Sequence, residues 1–372
     1  MVAPPKSPPG KSSAGQVRSG RGAVANPAGR FEPTRLEATD DGWGSLDEPL
    51  PPLVTTVQAE PARSIISRNQ SPDIPFDQSI NPYRGCEHGC IYCYARPSHS
   101  YLNLSPGLDF ETRLFYKPDA AQLLRKELAA RGYRCSPITV GANTDPYQPI
   151  ERDYRITRSI IEVLAECRHP FSLITKSAMI ERDAELLAEL ARSNLVLVLI
   201  SVTTLSNDLK RTLEPRTASP AARLRAIRTL SSMGVPVGVL VAPVIPVLTD
   251  AELENILAAA AEAGARSAGY VLLRLPHEVK ELFRQWLEQH EPLKARHVLS
   301  RLQAMRAGRD YDSRWGHRMR GEGEYAQLLQ MRFQAACRKY GLQSRARFAH
   351  NLSLFRPPVV GPTVGPEQLV LL

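Results

Sequence analysis

The chain has 372 residues, 43% apolar and 23% charged, enough material for a sizeable core and room for one large domain or two small ones. No run approaches the ~20 apolar residues of a membrane span, the first thirty residues lack the apolar centre of a secretory signal, and six cysteines are too few for a disulfide scaffold. The expectation is a cytoplasmic protein with no membrane partner, not a fibrous chain or a secreted mini-protein. The net charge of +9 is uneven: residues 1–60 hold six basic and seven acidic side chains, whereas residues 278–356 hold 16 basic and 8 acidic, a local +8. Such a surface suits a phosphate-rich partner, DNA or RNA, and is also what an arginine-rich proteome leaves on any surface.

Residues 1–60 carry nine Pro and seven Gly and read as a disordered tail that adds nothing to the core. Trp43 and the Leu53-Val54 pair are its apolar exceptions. From residue 61 short β-rich runs alternate with amphipathic helical patterns. A strand is expected near 79–84. A helix follows Asp119, with Ala120, Leu123, Leu124 and Leu128 on one face and Gly132 beyond its end. Strand 137–141 leads to a helix at 155–167, and strand 171–175 to one at 181–192, closed near Asn194. Strand 196–200 precedes a helix that opens at Ser219-Pro220, a cap followed by proline at the first helical position, and stops at Gly234. Strand 235–241 leads to a helix from Thr249-Asp250 to Gly264, and strand 269–273 follows.

These strands are apolar on both faces, as buried parallel strands are. Six βα units over 61–276 imply an α/β core, either an open doubly wound sheet or an incomplete barrel; periodicity does not choose between them. Past residue 276 strands cease. Three helices near 278–289, 292–306 and 323–340 form a basic extension reaching residue 356, and residues 357–372 form an irregular tail.

The strongest chemical signal is Gly85-Cys86-Glu87-His88-Gly89-Cys90-Ile91-Tyr92-Cys93-Tyr94. Three cysteines at C-x3-C-x2-C in a short loop after a strand can turn their sulfurs onto one inorganic centre, and Gly85 and Gly89 permit the wrapping. Three thiolates suit a four-iron cubane with one iron left open. A zinc site needs a fourth ligand, which His88 or His99 would supply. Cys135, Cys167 and Cys337 are isolated and read as small buried hydrophobes. Arg314, His317, Arg318, Arg320, Arg345 and Arg347, interleaved with Trp315, Tyr325, Phe348 and Phe355, read either as a grip on a nucleic-acid strand or as a solvated face with core aromatics.

C-x3-C-x-aromatic-C on a six-unit βα body resembles the radical S-adenosylmethionine (SAM) superfamily. The run from Gly85 to Arg96, followed by Thr144-Asp145-Pro146-Tyr147-Gln148-Pro149, narrows the resemblance to the group related to spore photoproduct lyase, the DNA-repair-photolyase-like proteins. It covers about residues 75–275. It implies a partial (β/α)6 TIM-type barrel with its site at the C-terminal ends of the strands, and a radical SAM enzyme fed by a reductant such as flavodoxin or ferredoxin. The implied cofactors are one [4Fe-4S] cluster on Cys86, Cys90 and Cys93, and SAM chelated to the fourth iron.

Carried over one by one, the resemblance puts Tyr92 beside the adenine and makes Tyr94 the next aromatic of the group. It gives Thr144 and Ser201 contacts to SAM and sets Lys176 near the SAM carboxylate. Glu214 would meet the ammonium and Arg216 the carboxylate, or the pair would serve as a loop-fixing salt bridge, while Asp145 and Gln148 are candidates for the substrate side. Ala142 stands where the lyase has its hydrogen-donating cysteine, so repair of thymine dimers by that route is not implied. The sequence names no substrate: a nucleic acid to be repaired or modified is one reading, and a peptide or small molecule, or a non-catalytic iron–sulfur or zinc regulatory protein, are the alternatives. The sequence sets no oligomeric state.

Overall fold

The computed structural model describes residues 20–31, 53–344 and 348–359. Trp43, Arg345, Arg347 and most of the two expected tails lie outside the described residues. In chain order the strands are β1 (Thr56–Ala59), β2 (Ile66–Arg68), β3 (Gln78–Ile80), β4 (Tyr83–Arg84), β5 (Arg113–Tyr116), β6 (Ile138–Val140), β7 (Phe171–Thr175), β8 (Val196–Ser201), β9 (Val237–Val244), β10 (Ser267–Leu272) and β11 (Gln343–Ser344). The main sheet runs β11-β10-β9-β8-β7-β6-β3-β2, parallel throughout except for the antiparallel β2–β3 edge.

Strand order decides what periodicity left open. A doubly wound sheet reverses direction at a switch point. Here β3, β6, β7, β8, β9 and β10 lie side by side in chain order, as in a (β/α) barrel left unclosed. The alternation along β8 shows why each strand reads as continuously apolar. Val196, Val198 and Ile200 belong to the outer core beneath the helices, whereas Leu197 and Leu199 meet Leu240 on the opposite face, with Ile174, Ala242 and Phe348 against them. The helices fall where expected. Ile156–Glu166, Pro220–Ser232 and Leu253–Glu262 cover the outer face, and Ser219 caps its helix by accepting from the Ala222 amide at 3.2 Å.

Three expectations are corrected. The strand near 79–84 breaks at Asn81-Pro82, since proline has no N–H for a ladder; β3 stays in the main sheet and β4 joins a small sheet of order β1-β5-β4. Within residues 1–60 the described segments 20–31 and 53–60 do join the fold: Ala23 is 1% exposed and packs into the main cluster, and β1 pairs with β5. Strands also return after residue 276, because β11 adds a parallel edge to β10. The extension Val279–His290 buries Phe283 and Trp286, and the indole N–H donates to the Thr212 carbonyl at 3.1 Å. Beyond residue 348 the chain runs beneath the barrel: His350 bonds the Phe171 carbonyl and the Arg356 amide donates to Cys167 O at 2.9 Å.

Replacing Ser219 by Ala should cost about 1 kcal/mol, the ordinary worth of a helix cap, measured as a shift in the urea midpoint with an unchanged slope.

Candidate functional site

The cysteine loop leaves β4 through Gly85 (φ +72°), where a Cβ would lie 2.7 Å from the Leu114 side chain and 2.9 Å from Phe110 O, and turns again at Gly89 (φ +67°). Both positions demand glycine for conformation and for space. The Cys86 amide donates to Phe110 O at 2.9 Å and the Cys93 amide to Cys90 O at 3.1 Å. Cys86, Cys90 and Cys93 all line one cavity of about 440 Å³, the size of a cofactor site. Its wall draws on every central strand: Ser79 of β3, Gly141 and Thr144 after β6, Thr175 of β7, Ser201 of β8, Ala242 of β9 and Leu272 of β10.

Burial, aided by the Asp145 carboxylate, pushes the Cys86 thiol up. Cys90 is pushed up to about 12 by burial and the charge of Glu214, against the opposing pull of Lys176. Such thiols ionise only when a cation arrives to pair with them. A tetrahedral zinc ion holds its sulfurs about 3.8 Å apart. Among the described residues the one trio of His, Cys, Asp or Glu ligand atoms all within 4.8 Å of one another is Asp312, His317 and Glu322, so at least one pair of the three sulfurs lies farther apart than that. That spread fits a multi-iron cluster. His99 bonds the Arg113 carbonyl at 2.9 Å and its imidazole is pushed down to about 4 by burial, so it stands outside the cavity; His88 lines it, with Nδ1 3.3 Å from Asp145.

Of the other expected site residues, Tyr92, Tyr94, Thr144, Lys176 and Ser201 line the same cavity. The Lys176 ammonium sits 5.9 Å from the centroid of the Tyr92 ring. Thr144 donates its hydroxyl to Tyr83 O at 3.1 Å, which aims its oxygen lone pairs elsewhere. Asp145 accepts from Thr175 Oγ1 and the Lys176 amide, both at 2.7 Å; burial works against its charge, but His88 and these donors hold it at about 2.

Glu214 and Arg216 are corrected, since neither lines the cavity. Glu214 is fully buried behind Tyr92, accepting from the Tyr92 and Thr203 hydroxyls and from Arg223, whose guanidinium also donates to Ser201 O at 3.1 Å. Burial opposes its charge, yet Arg223 and Lys176 hold its carboxyl at about 2. Arg216 pairs with Glu87 at 2.9 Å, and its amide donates to His88 O at 3.2 Å. Gln148 likewise binds loop backbone, accepting from Glu87 N at 2.9 Å. These residues brace the cofactor loop and do not face a ligand. The expected nucleic-acid grip is also not one surface: Arg318 and Met319 reach the cavity mouth, Arg314 pairs with Asp312 and Glu322, and Phe348 and Phe355 sit at the other end of the barrel.

Sequence reading missed the frame behind the loop. The fully buried Arg96 donates to the carbonyls of Cys90, Pro106, Gly107 and Gly89, and pairs with the equally buried Glu111. Glu111 in turn accepts from the amides of Gly22 (3.0 Å) and Ala23 (2.8 Å), so a strap at 20–31 closes the rear of the loop. A Cβ on Gly22 would fall 1.8 Å from Gly89 O. The Tyr-Ala-Arg run after Cys93 was the available signal for Arg96. The strap has none, because it binds through backbone amides.

Two outcomes follow. Glu214→Gln should lose about 3–5 kcal/mol in urea unfolding at pH 7, the cost of stranding buried Arg223. A carboxylate held at about 2 against 4.5 unfolded stabilises above pH 4.5 and loses that contribution as pH falls toward 2, so the variant's stability should also drop less than wild type over that window. Gly22→Val should leave the barrel folded by circular dichroism but speed amide exchange across residues 86–94, read by hydrogen–deuterium exchange.

Residues 80–260 match the family model of the Radical SAM superfamily. A protein of Mycobacterium tuberculosis, named only as uncharacterized, is 39% identical over 221 residues, 59% of this chain and 65% of its own length; one from Methanocaldococcus jannaschii is 29% identical over 174 residues, 46% and 62%. The chain thus spans just under two thirds of the relatives it matches. In fold it is similar to a spore photoproduct lyase variant (TM-score 0.54, 17% identity, 79% of this chain and 82% of that one) and to the same lyase complexed with dinucleoside spore photoproduct (0.54, 17%, 77% and 81%). The superfamily consists of enzymes that bind a four-iron cluster and SAM. With three cysteines on one cavity at the C-terminal rim of a sequentially ordered βα barrel, residues 80–260 are similar to radical SAM domains in sequence and in layout.

Proposed function

We propose that this protein is a radical SAM enzyme whose Cys86, Cys90 and Cys93 hold one [4Fe-4S] cluster and whose cavity also holds SAM. The observation that carries the reading is the convergence of three cysteine thiols, two of them buried, on one cavity of cofactor size. When bound, the pair supplies one-electron cleavage of the SAM sulfonium to a 5′-deoxyadenosyl radical that abstracts hydrogen from a substrate. The chain's own residues bind, orient and exclude water. Lys176 brings a positive charge to the SAM carboxylate, Ser201 and Thr144 offer hydroxyls along the rim, and the Tyr92 ring is held in place from behind by Glu214. Tyr94, its hydroxyl bonded to Ala142 O, closes the side toward the mouth.

The substrate we favour is a nucleic acid, supported by the arginines at the mouth, Arg274 and Arg318. The reaction differs from thiol-dependent dimer repair: Ala142 occupies the donor position, and among the described residues the thiols on the cavity are the three cluster cysteines. Reduction of the cluster is assigned to a small carrier of the flavodoxin or ferredoxin type.

Anaerobic reconstitution with iron and sulfide should give four irons per chain, an EPR signal after reduction that changes on adding SAM, and release of 5′-deoxyadenosine. Cys90→Ala should abolish all three. A centre that fills with zinc, or a cluster whose spectrum ignores SAM, would make the protein a regulatory metal binder instead.

A further inference from the structure

The cavity has two cationic poles, and the cofactor reading uses one. Lys176 serves the cysteine side. The other pole is Arg274, two residues beyond β10. Its guanidinium carbon lies 4.8 Å from the centroid of the Tyr94 ring, and the ring holds the fork flat. Nε is buried with no hydrogen-bond partner, and one terminal nitrogen reaches only the Met319 sulfur at 3.6 Å, a weak acceptor. The carboxylate that acts on it through space, Asp73, is occupied by Arg318 and by the Gly316 amide. Arg306, electrostatically coupled to Arg274, is 1% exposed and also keeps a buried nitrogen unpartnered. Arg274 is thus a half-buried guanidinium with a buried, unpartnered Nε and, among the described residues, no carboxylate within ion-pair distance, which makes it an incomplete site.

We propose that Arg274, resting on Tyr94, is the subsite for a phosphate ester of the substrate. The planar fork matches two oxygens of one phosphate, and the surplus of arginine over carboxylate at this end of the cavity favours a polyanion over a single carboxylate. The assignment rests on the reading of this cavity as the substrate site and names the group that the site grips. Arg274 therefore acts as a specificity residue on the substrate, separate from the cysteine side.

The test is calorimetric binding of a dinucleoside monophosphate, and of its uncharged methylphosphonate analogue, to the full chain without metal and again after reconstitution with SAM. Wild type should prefer the phosphodiester. Arg274→Gln should weaken the phosphodiester about 10-fold to 100-fold and leave the methylphosphonate unchanged, Arg274→Lys should recover part of the loss, and SAM affinity of the reconstituted protein should be unaltered in both. Equal binding of the phosphodiester by wild type and Arg274→Gln would overturn the assignment, as would equal weakening of both ligands. Tighter, Arg274-dependent binding of a glutamyl dipeptide would overturn the phosphate class in favour of a carboxylate. Because the first measurement needs no metal, failure of the cluster reading leaves its outcome intact, and a cluster that forms normally does not rescue it.

Discussion

The site depends on one buried ion pair. A short loop carrying three cysteines has no intrinsic reason to hold their sulfurs in a fixed array, because its own amides and carbonyls compete for water. Arg96 supplies the constraint: its donors take the carbonyls of Gly89, Cys90, Pro106 and Gly107, and Glu111 balances its charge. Burying such a pair is unfavourable when any donor is left over. Here the oxygens of Glu111 are also occupied, by the amides of Gly22 and Ala23. The loop is consequently shaped before any cofactor arrives, and burial pushes its Cys86 and Cys90 thiols up, so that an arriving metal draws their protons off.

Around that loop the barrel does the positioning. Strands laid side by side in chain order end on one rim, so Thr144, Lys176 and Arg274 reach a common cavity from turns after three strands and Ser201 from the last residue of a fourth. The same parallel order opens the opposite rim, where Phe348 packs against the lumen cluster and the segment from 348 to 359 runs across strand starts. Chemistry and closure thus occupy opposite ends. The basic, aromatic C-terminal segment is divided between them, and is not gathered on one face.

How much of this was legible follows from where the information lies. The cysteine loop was readable because covalent ligands must come from named residue types at short spacing. The helices were readable from apolar period and caps such as Ser219. Glu214 and Arg216 misled because being near a site in sequence says nothing about which way a side chain points: both face the wall and brace Tyr92 and Glu87. The strap at 20–31 was invisible since its Pro- and Gly-rich composition looks solvated, while its contacts run through backbone amides and the absence of a Cβ at Gly22. Arg274 lacked any motif, and only the three-dimensional cavity reveals a cation without a paired carboxylate among the described residues.

The central claim is that three cysteines, and no fourth protein ligand, hold the inorganic centre, leaving one position for SAM. Mössbauer spectroscopy of protein reconstituted with ⁵⁷Fe tests it most directly. The account predicts a four-iron cluster in which one iron in four changes its spectrum when SAM is added while the other three do not. Four irons that respond alike, or a centre with full protein ligation that ignores SAM, would contradict it.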